Sequence, residues 1–229
     1  QFFVLTGLCV TGIVISNLIT FPEPTCVWRE EHFLDTAAFV HMSLDACTLR
    51  FVPASSKKPP ESGVSAIKIN FAYQESPGIT LDAQTCGANA TFMLVNTLRD
   101  EEKYKNFYCN IEVVVPERYI VPHFTVMAVG DNTTFVRAGP MDADSRGFGI
   151  NFGPNGLELL GTRLVAKLEN ITAKSILYDV RHGRCDAKDI TTSSWANFTS
   201  ETGDLMVSTR RRTTVRFLQR TDNSVCLTA

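Results

Sequence analysis

The chain is poor in the residues and spacings that perform acid–base, metal and nucleotide chemistry. It has four histidines and two tryptophans in 229 residues. Its seven cysteines form no C-x-x-C pair and no Cys/His cluster with zinc spacing. No H-E-x-x-H is present, and neither is the G-x-S-x-G elbow that exposes a nucleophilic serine. No phosphate-cradling loop occurs, since Gly147-Phe-Gly149 lacks a third glycine and a following helix. Charge of one sign is also missing. Lys+Arg number 22 against 24 Asp+Glu, a net charge of −2, so no overall field draws the protein to nucleic acid.

The nearest approach to a cation loop is Asp142-Ala-Asp-Ser-Arg-Gly147, with carboxylates at positions one and three and glycine at six. Arg146 stands at position five and Gly153 at twelve, where ligands belong, so the segment reads as a polar turn. Glu30, Glu31, His32 and His41 read as a solvated strand end, and Asp35 and Asp45 receive no catalytic role. The expectation is no catalytic residue, no metal and no cofactor beyond N-linked glycans.

What is present suits a β protein. Hydrophobic residues make up 44% of the chain and charged residues 20%, enough apolar material for a sizeable core. Phe reaches 15, and Val, Thr and Ile recur throughout, residues that fit pleated, half-buried surfaces. Period-2 alternation predicts strands at 37–44, 48–52, 66–73, 79–83, 91–95, 111–115, 125–129 and 134–137. The one helical expectation is 97–107, and the polar Pro-rich stretch 55–63 reads as a hairpin tip.

Four Asn-x-Ser/Thr triplets, at Asn89, Asn132, Asn170 and Asn197, exceed the roughly one or two expected by chance and suggest glycosylation in a secretory compartment. The cysteines agree. With Cys9 set aside in an apolar run, six remain: Cys26, Cys47, Cys86, Cys109, Cys185 and Cys226. They allow 15 disulfide connectivities. Neighbours in an antiparallel meander face each other, which pairs Cys26 with Cys47, Cys86 with Cys109, and Cys185 with Cys226.

Phe2 to Phe21 is a run of 20 residues with no charge and no proline. As a helix it just crosses a ~30 Å hydrocarbon core. Its β-branched residues also fit a strand inserted into a neighbouring copy, or a plain core strand. A signal-peptide core is shorter and follows a Met and a basic patch, whereas this chain starts at Gln1, so a trimmed or incomplete polypeptide is expected. Pro22-Glu-Pro24 ends the run.

From about residue 120, turn signals at Gly130-Asp131, Asn155-Gly156, His182-Gly183 and Gly203-Asp204 punctuate alternating segments. Their spacings of 26, 27 and 20 residues suit rungs that bury their apolar faces by stacking. The fold class is therefore mainly β: a stacked β-solenoid or sandwich-like ectodomain with an N-terminal apolar segment. The expected divisions are 1–24 (apolar segment and Pro stop), 25–120 (disulfide-bearing β domain) and 121–229 (quasi-repetitive rungs). Arg210, Arg212, Arg216 and Arg220 form the one charge cluster; on a single strand they would line one face, a site for acidic glycans, lipid headgroups or a partner subunit.

Tyr108-Cys-Asn-Ile-Glu-Val-Val-Val-Pro116, then Phe124-Thr-Val-Met-Ala-Val-Gly-Asp131 and Glu201-Thr-Gly-Asp-Leu205, resemble the strand and Gly-Asp turn units of an adhesin-type domain family of unknown function. The resemblance covers roughly residues 37 to 220. It implies a stacked β architecture, a surface or adhesive role and no catalytic residues to carry over. Arg181-His-Gly-Arg184 and Gly153-Pro-Asn-Gly156 depart from it, because their turns lack the Asp.

These readings converge on a non-enzymatic extracellular or cell-surface glycoprotein, adhesive or structural, anchored as a single-pass protein or self-assembled into a fibril through residues 2–21. Its partners would be other copies, other surface proteins or membrane lipid, and not nucleic acid. A membrane-anchored subunit of a larger complex is the alternative. A secreted carbohydrate-active enzyme ranks below both. It needs clustered carboxylates, while Glu169, Asp179, Asp186, Asp189, Glu201 and Asp204 mostly flank turns.

Overall fold

A computed structural model describes residues 27–34, 37–54, 67–74, 79–96, 109–116, 119–140, 148–210, 214–219 and 225–228. The run 2–21, its proline stop, the polar stretch 55–63, the helical expectation 97–107 and the loop 142–147 lie outside the described residues. Every predicted strand is present. In chain order the strands are β1 (Val27–Leu34), β2 (Phe39–Leu44), β3 (Thr48–Pro53), β4 (Ile67–Gln74), β5 (Ile79–Cys86), β6 (Asn89–Asn96), β7 (Cys109–Val115) and β8 (His123–Ala128). Then come β9 (Thr134–Ala138), β10 (Ile150–Asn151), β11 (Gly156–Glu169), β12 (Ile171–Thr202), β13 (Leu205–Thr209), β14 (Val215–Gln219) and β15 (Val225–Thr228). The protein is mainly β, as expected, and no helix occurs among the described residues.

All the strands join one curled, mixed sheet that folds into two facing walls. β5, β6, β2, β8, the first half of β11 and the start of β12 build the first wall. The second contains β1, β4, β7, β3, β9, the second half of β11, the middle of β12, β13 and β15. β11 and β12 pass from one wall to the other without leaving the ladder. β11 pairs in parallel with β12 from Gly156 opposite Ser175 to Glu169 opposite Lys188, an offset of 19 residues. β12 then meets β13 with Cys185 opposite Leu205 and β14 with Ala196 opposite Val215, offsets of 20 and 19.

Each wall keeps one face dry. β7 reads buried, half-buried in strict alternation, and β2 and β8 do the same. Parallel strands usually lie buried on both faces and lose this alternation; here the opposite wall covers only the inner face, so the alternation survives. Aromatic rings fill the space between the walls. Phe51 of the second wall meets Phe124 of the first edge-on at 5.2 Å between centroids, and Phe152 packs on both. Burying a side chain of this size contributes roughly 2–3 kcal/mol.

Two kinds of corner join the walls. At one, a Cβ on Gly203 would overlap the carbonyl oxygen of Gly183, and a Cβ on Gly183 would overlap that of Leu164. Glycine is therefore required wherever successive coils touch backbone to backbone. Tyr178 donates its buried hydroxyl to the same Leu164 carbonyl at 2.8 Å. At the other corner, Asn170 and Asp189 adopt left-handed φ of 56° and 57°, a conformation that Asn and Asp tolerate better than most residues. The true coil is thus 19–20 residues, and the expected spacings of 26 and 27 mixed different positions of the coil: Gly156 opens a wall strand, whereas Gly183 sits in a corner.

The cysteine pairing differs from expectation. Cys47 bonds Cys109, with Cα atoms 4.7 Å apart. An antiparallel meander would have placed sequence neighbours together, but β3 lies parallel to β7, with Thr48 opposite Asn110. Cys86 is free and exposed, and Cys185 is free and buried. Cys185 stands in β12 and Cys226 in β15, with β13 between them. Two strand spacings, about 9.6 Å, exceed what a disulfide spans. Cys26 lies outside the described residues.

Candidate interaction surfaces

The four sequon asparagines fall on the first wall and the corners. Asn89 is exposed where the β5–β6 hairpin closes, opposite Cys86. Asn197 is half-buried on the outer side of β12, opposite Arg216 of β14. Asn132 sits in the turn before β9, where its side chain and backbone N–H bond the Asp45 carboxylate. Asn170 occupies the left-handed corner and accepts a hydrogen bond from Arg210 Nη1 at 3.3 Å. The last two asparagines therefore also have structural work at their corners.

The expected arginine face does not form on one strand. Arg210 follows β13, whereas Arg216 is exposed on β14 of the first wall; Arg212 and Arg220 lie outside the described residues. β13 and β14 are separate strands, pairing with β12 at Cys185–Ala187 and at Ala196–Ser200, so alternation along a single strand does not apply. Arg210 also pairs with Asp189 Oδ2 at 3.3 Å while bonding Asn170, which ties two stacked corner residues together.

The first wall carries two of the four histidines, His41 and His123. Gly156 N–H donates to His123 Nδ1 at 3.2 Å, which leaves the ring's proton on Nε2, 3.5 Å from Glu158 Oε1. Thr125 donates to Glu158 Oε2 at 3.1 Å. One strand away, His41 Nε2 lies 3.1 Å from Ser43 Oγ. A working serine nucleophile needs a carboxylate on the far side of its histidine and donors for an oxyanion. Among the described residues, the register neighbours of His41 are Thr91 and Thr125, neither of them a carboxylate. Glu30 and His32 lie on β1, where Glu30 accepts from Tyr73 and His32 packs edge-on to Phe71 and Phe92. Among the described residues, no group of three or more His, Cys, Asp or Glu side chains is arranged to hold a metal.

Asp45 is buried at the corner against Gly130, where a Cβ would come within 2.9 Å of Oδ1. Among the described residues, Oδ1 has no hydrogen-bond partner. Burial pushes this carboxyl above its ordinary range, against the bonds from Asn132, and the nearby Asp131 charge adds to the rise. Burial likewise raises the Cys185 thiol, first by desolvation and then by Asp186, so it is an inert core residue.

The second wall carries a feature that the sequence did not disclose. Register places Arg50 opposite Arg137, Arg137 opposite Lys167, and Phe135 opposite Val165, which is opposite Arg184. Arg163 lies two residues before Val165 on the same outer side. Five cations from β3, β9, β11 and β12 thus surround Phe135, which is 49% exposed. Outward parity within each strand was a usable signal; the parallel register that unites them was not.

No family model matches the chain, and no curated protein matches it. Solved structures show partial likeness. A candidate cell adhesion protein from Clostridium sporogenes is 11% identical, with a TM-score of 0.41 over 81% of this chain and 74% of that one. A candidate adhesin from Bacteroides fragilis is 8% identical, with a TM-score of 0.34 over 89% and 98%. Another, from Parabacteroides merdae, is 10% identical, with a TM-score of 0.28 over 90% and 97%. At these scores the likeness carries no functional assignment.

Proposed function

We propose that this chain is a non-enzymatic extracellular glycoprotein with an adhesive or structural role, organised as a two-walled β-solenoid and held at a surface or assembled through residues 2–21. The observation that carries the reading is the constant 19–20-residue parallel offset from β11 to β15, which builds two broad, solvent-facing outer walls. A solenoid of this kind offers area for recognition instead of a closed cavity for chemistry. Four sequons and the Cys47–Cys109 bond support an oxidising, secretory setting. Among the described residues no helix is long and apolar enough to cross a membrane; the uncharged run 2–21 is the anchor or inserted strand in this proposal.

Secretory expression with and without residues 1–24 tests it. The expected result is a protein whose mass falls on endoglycosidase treatment, and whose retention at the cell surface or assembly into filaments depends on residues 1–24. A detergent-requiring monomer identifies an anchor, and detergent-free filaments identify an inserted strand. An unglycosylated product whose behaviour is the same with or without the segment contradicts the proposal.

A further inference from the structure

The outer side of the second wall concentrates positive charge in a protein whose net charge is −2. Arg50, Arg137 and Lys167 stand opposite one another on three consecutive strands, so their Cα atoms step by about 4.8 Å along the stack. Arg184 lies in the Phe135–Val165 row on β12, and Arg163 lies two residues before Val165 on β11. The acids in the same column are Glu112, opposite Arg50, Asp186, opposite Lys167, and, two strands beyond Glu112, Glu31, which pairs with Lys68. Among the described residues, none of Arg50, Arg163, Lys167 or Arg184 is in an ion pair. By contrast Lys188 and Arg210, at the neighbouring corner, are paired with Glu169 and Asp189.

We infer that this wall is the adhesive surface and that its ligand is an acidic polysaccharide, lying along the stack across β3, β9, β11 and β12. The inference rests on the extracellular reading above and names the partner class for it. Three observations converge. A linear polyanion repeats its charge along its length, and the Arg50–Arg137–Lys167 column sets a cation on three consecutive strands, with Arg184 two residues before Asp186 on the fourth; Arg137 Nη2 also donates to the Pro140 carbonyl at 3.4 Å. Phe135, half exposed amid the cations, offers a flat apolar face to the C–H side of a sugar ring. Finally, Asn89 and Asn197 lie on the first wall and Asn132 and Asn170 at the corners, so none of the four sequons stands on the cationic face. Glycans placed there would leave this face open.

The test uses the secreted full chain and three immobilised probes: heparin as a sulfated glycan, polygalacturonate as a carboxylated one, and dextran as a neutral control. Vesicles of mixed phosphatidylserine and phosphatidylcholine form a fourth arm. Expected results are salt-sensitive retention on one or both acidic glycans and none on dextran. The triple variant Arg163→Glu, Lys167→Glu, Arg184→Glu, all exposed side chains, should bind at least about tenfold more weakly. A charge-matched control, Lys174→Glu, Arg181→Glu, Arg216→Glu, should bind as the parent does. If the Glu triple is not secreted, the same three positions changed to Gln carry the test. Equal losses in test and control variants, undiminished binding by the test variant, or binding to vesicles but not glycans would each overturn the inference. A secreted, glycosylated parent chain that binds neither acidic glycan would sink this inference while leaving the extracellular reading intact.

Discussion

The two ends of the stack are held by different means. From β11 onward each coil lies on the one before it at an offset of 19 or 20 residues, and its contacts are made between near neighbours in sequence. Before β11 the spatial order is shuffled. The β2–β3 coil lies between β6–β7 and β8–β9, with Phe39 opposite His123 and Thr48 opposite both Asn110 and Phe135. Such distant pairings cost more chain entropy to close and have no repeating corner to guide them. The disulfide sits in this irregular part, across a separation of 62 residues, as does the Asp45–Asn132 bond. A regular stack holds itself by its corners; an irregular one is stapled.

The largest test of that contrast is Gly203→Ala, which forces a Cβ onto the Gly183 backbone at a φ of 122°. A loss of about 4–5 kcal/mol is expected, read as a collapse of the denaturant midpoint or of secretion. A loss under about 1 kcal/mol would show that the corners do not hold the regular end. Next comes Cys47→Ser with Cys109→Ser, expected to cost about 2–4 kcal/mol. Hydrogen exchange should then rise in β2, β3 and β7 and stay unchanged in β12 and β13; uniform loosening would erase the distinction between the ends.

The smallest effect has the opposite sign. The carboxyl of Asp45 is raised in the folded protein, so folding binds its proton more tightly than the unfolded chain does. Its contribution is greatest below the ordinary carboxylate pKa and is lost as pH rises through the raised value. Asp45→Asn should therefore stabilise the protein by about 1 kcal/mol at neutral pH and flatten the change in melting temperature between pH 4 and 7. Destabilisation at pH 7 would mean that the charged form is the one the corner favours.

Strands with clean alternation were legible, because only one face of each wall is dry: the segments at 39–44, 48–53 and 109–115 carry their apolar residues at every second position. β1 was not. Its Arg29-Glu-Glu-His32 reads as polar, yet the strand pairs along β4, and Lys68 bonds Glu31 across it at 2.7 Å. The length of β11 and β12 was hidden as well, since His182-Gly183 reads as a turn that ends a strand, whereas Gly161 and Gly183 both stay in the β11–β12 ladder. Parallel register was the missing quantity in every other miss. It decides that Cys47 meets Cys109, and it brings Arg50 beside Arg137 although 87 residues separate them.

The two walls differ as much as the two ends do: one bears His41, His123 and two sequons, the other a cationic column around Phe135. Hydroxyl-radical footprinting of the chain, with and without heparin, tests that division directly. The account predicts protection of Phe135 and of side chains in 163–167 and 182–186, with His41, Met93 and His123 unchanged. Protection centred on the first wall, or none on the second, would contradict it.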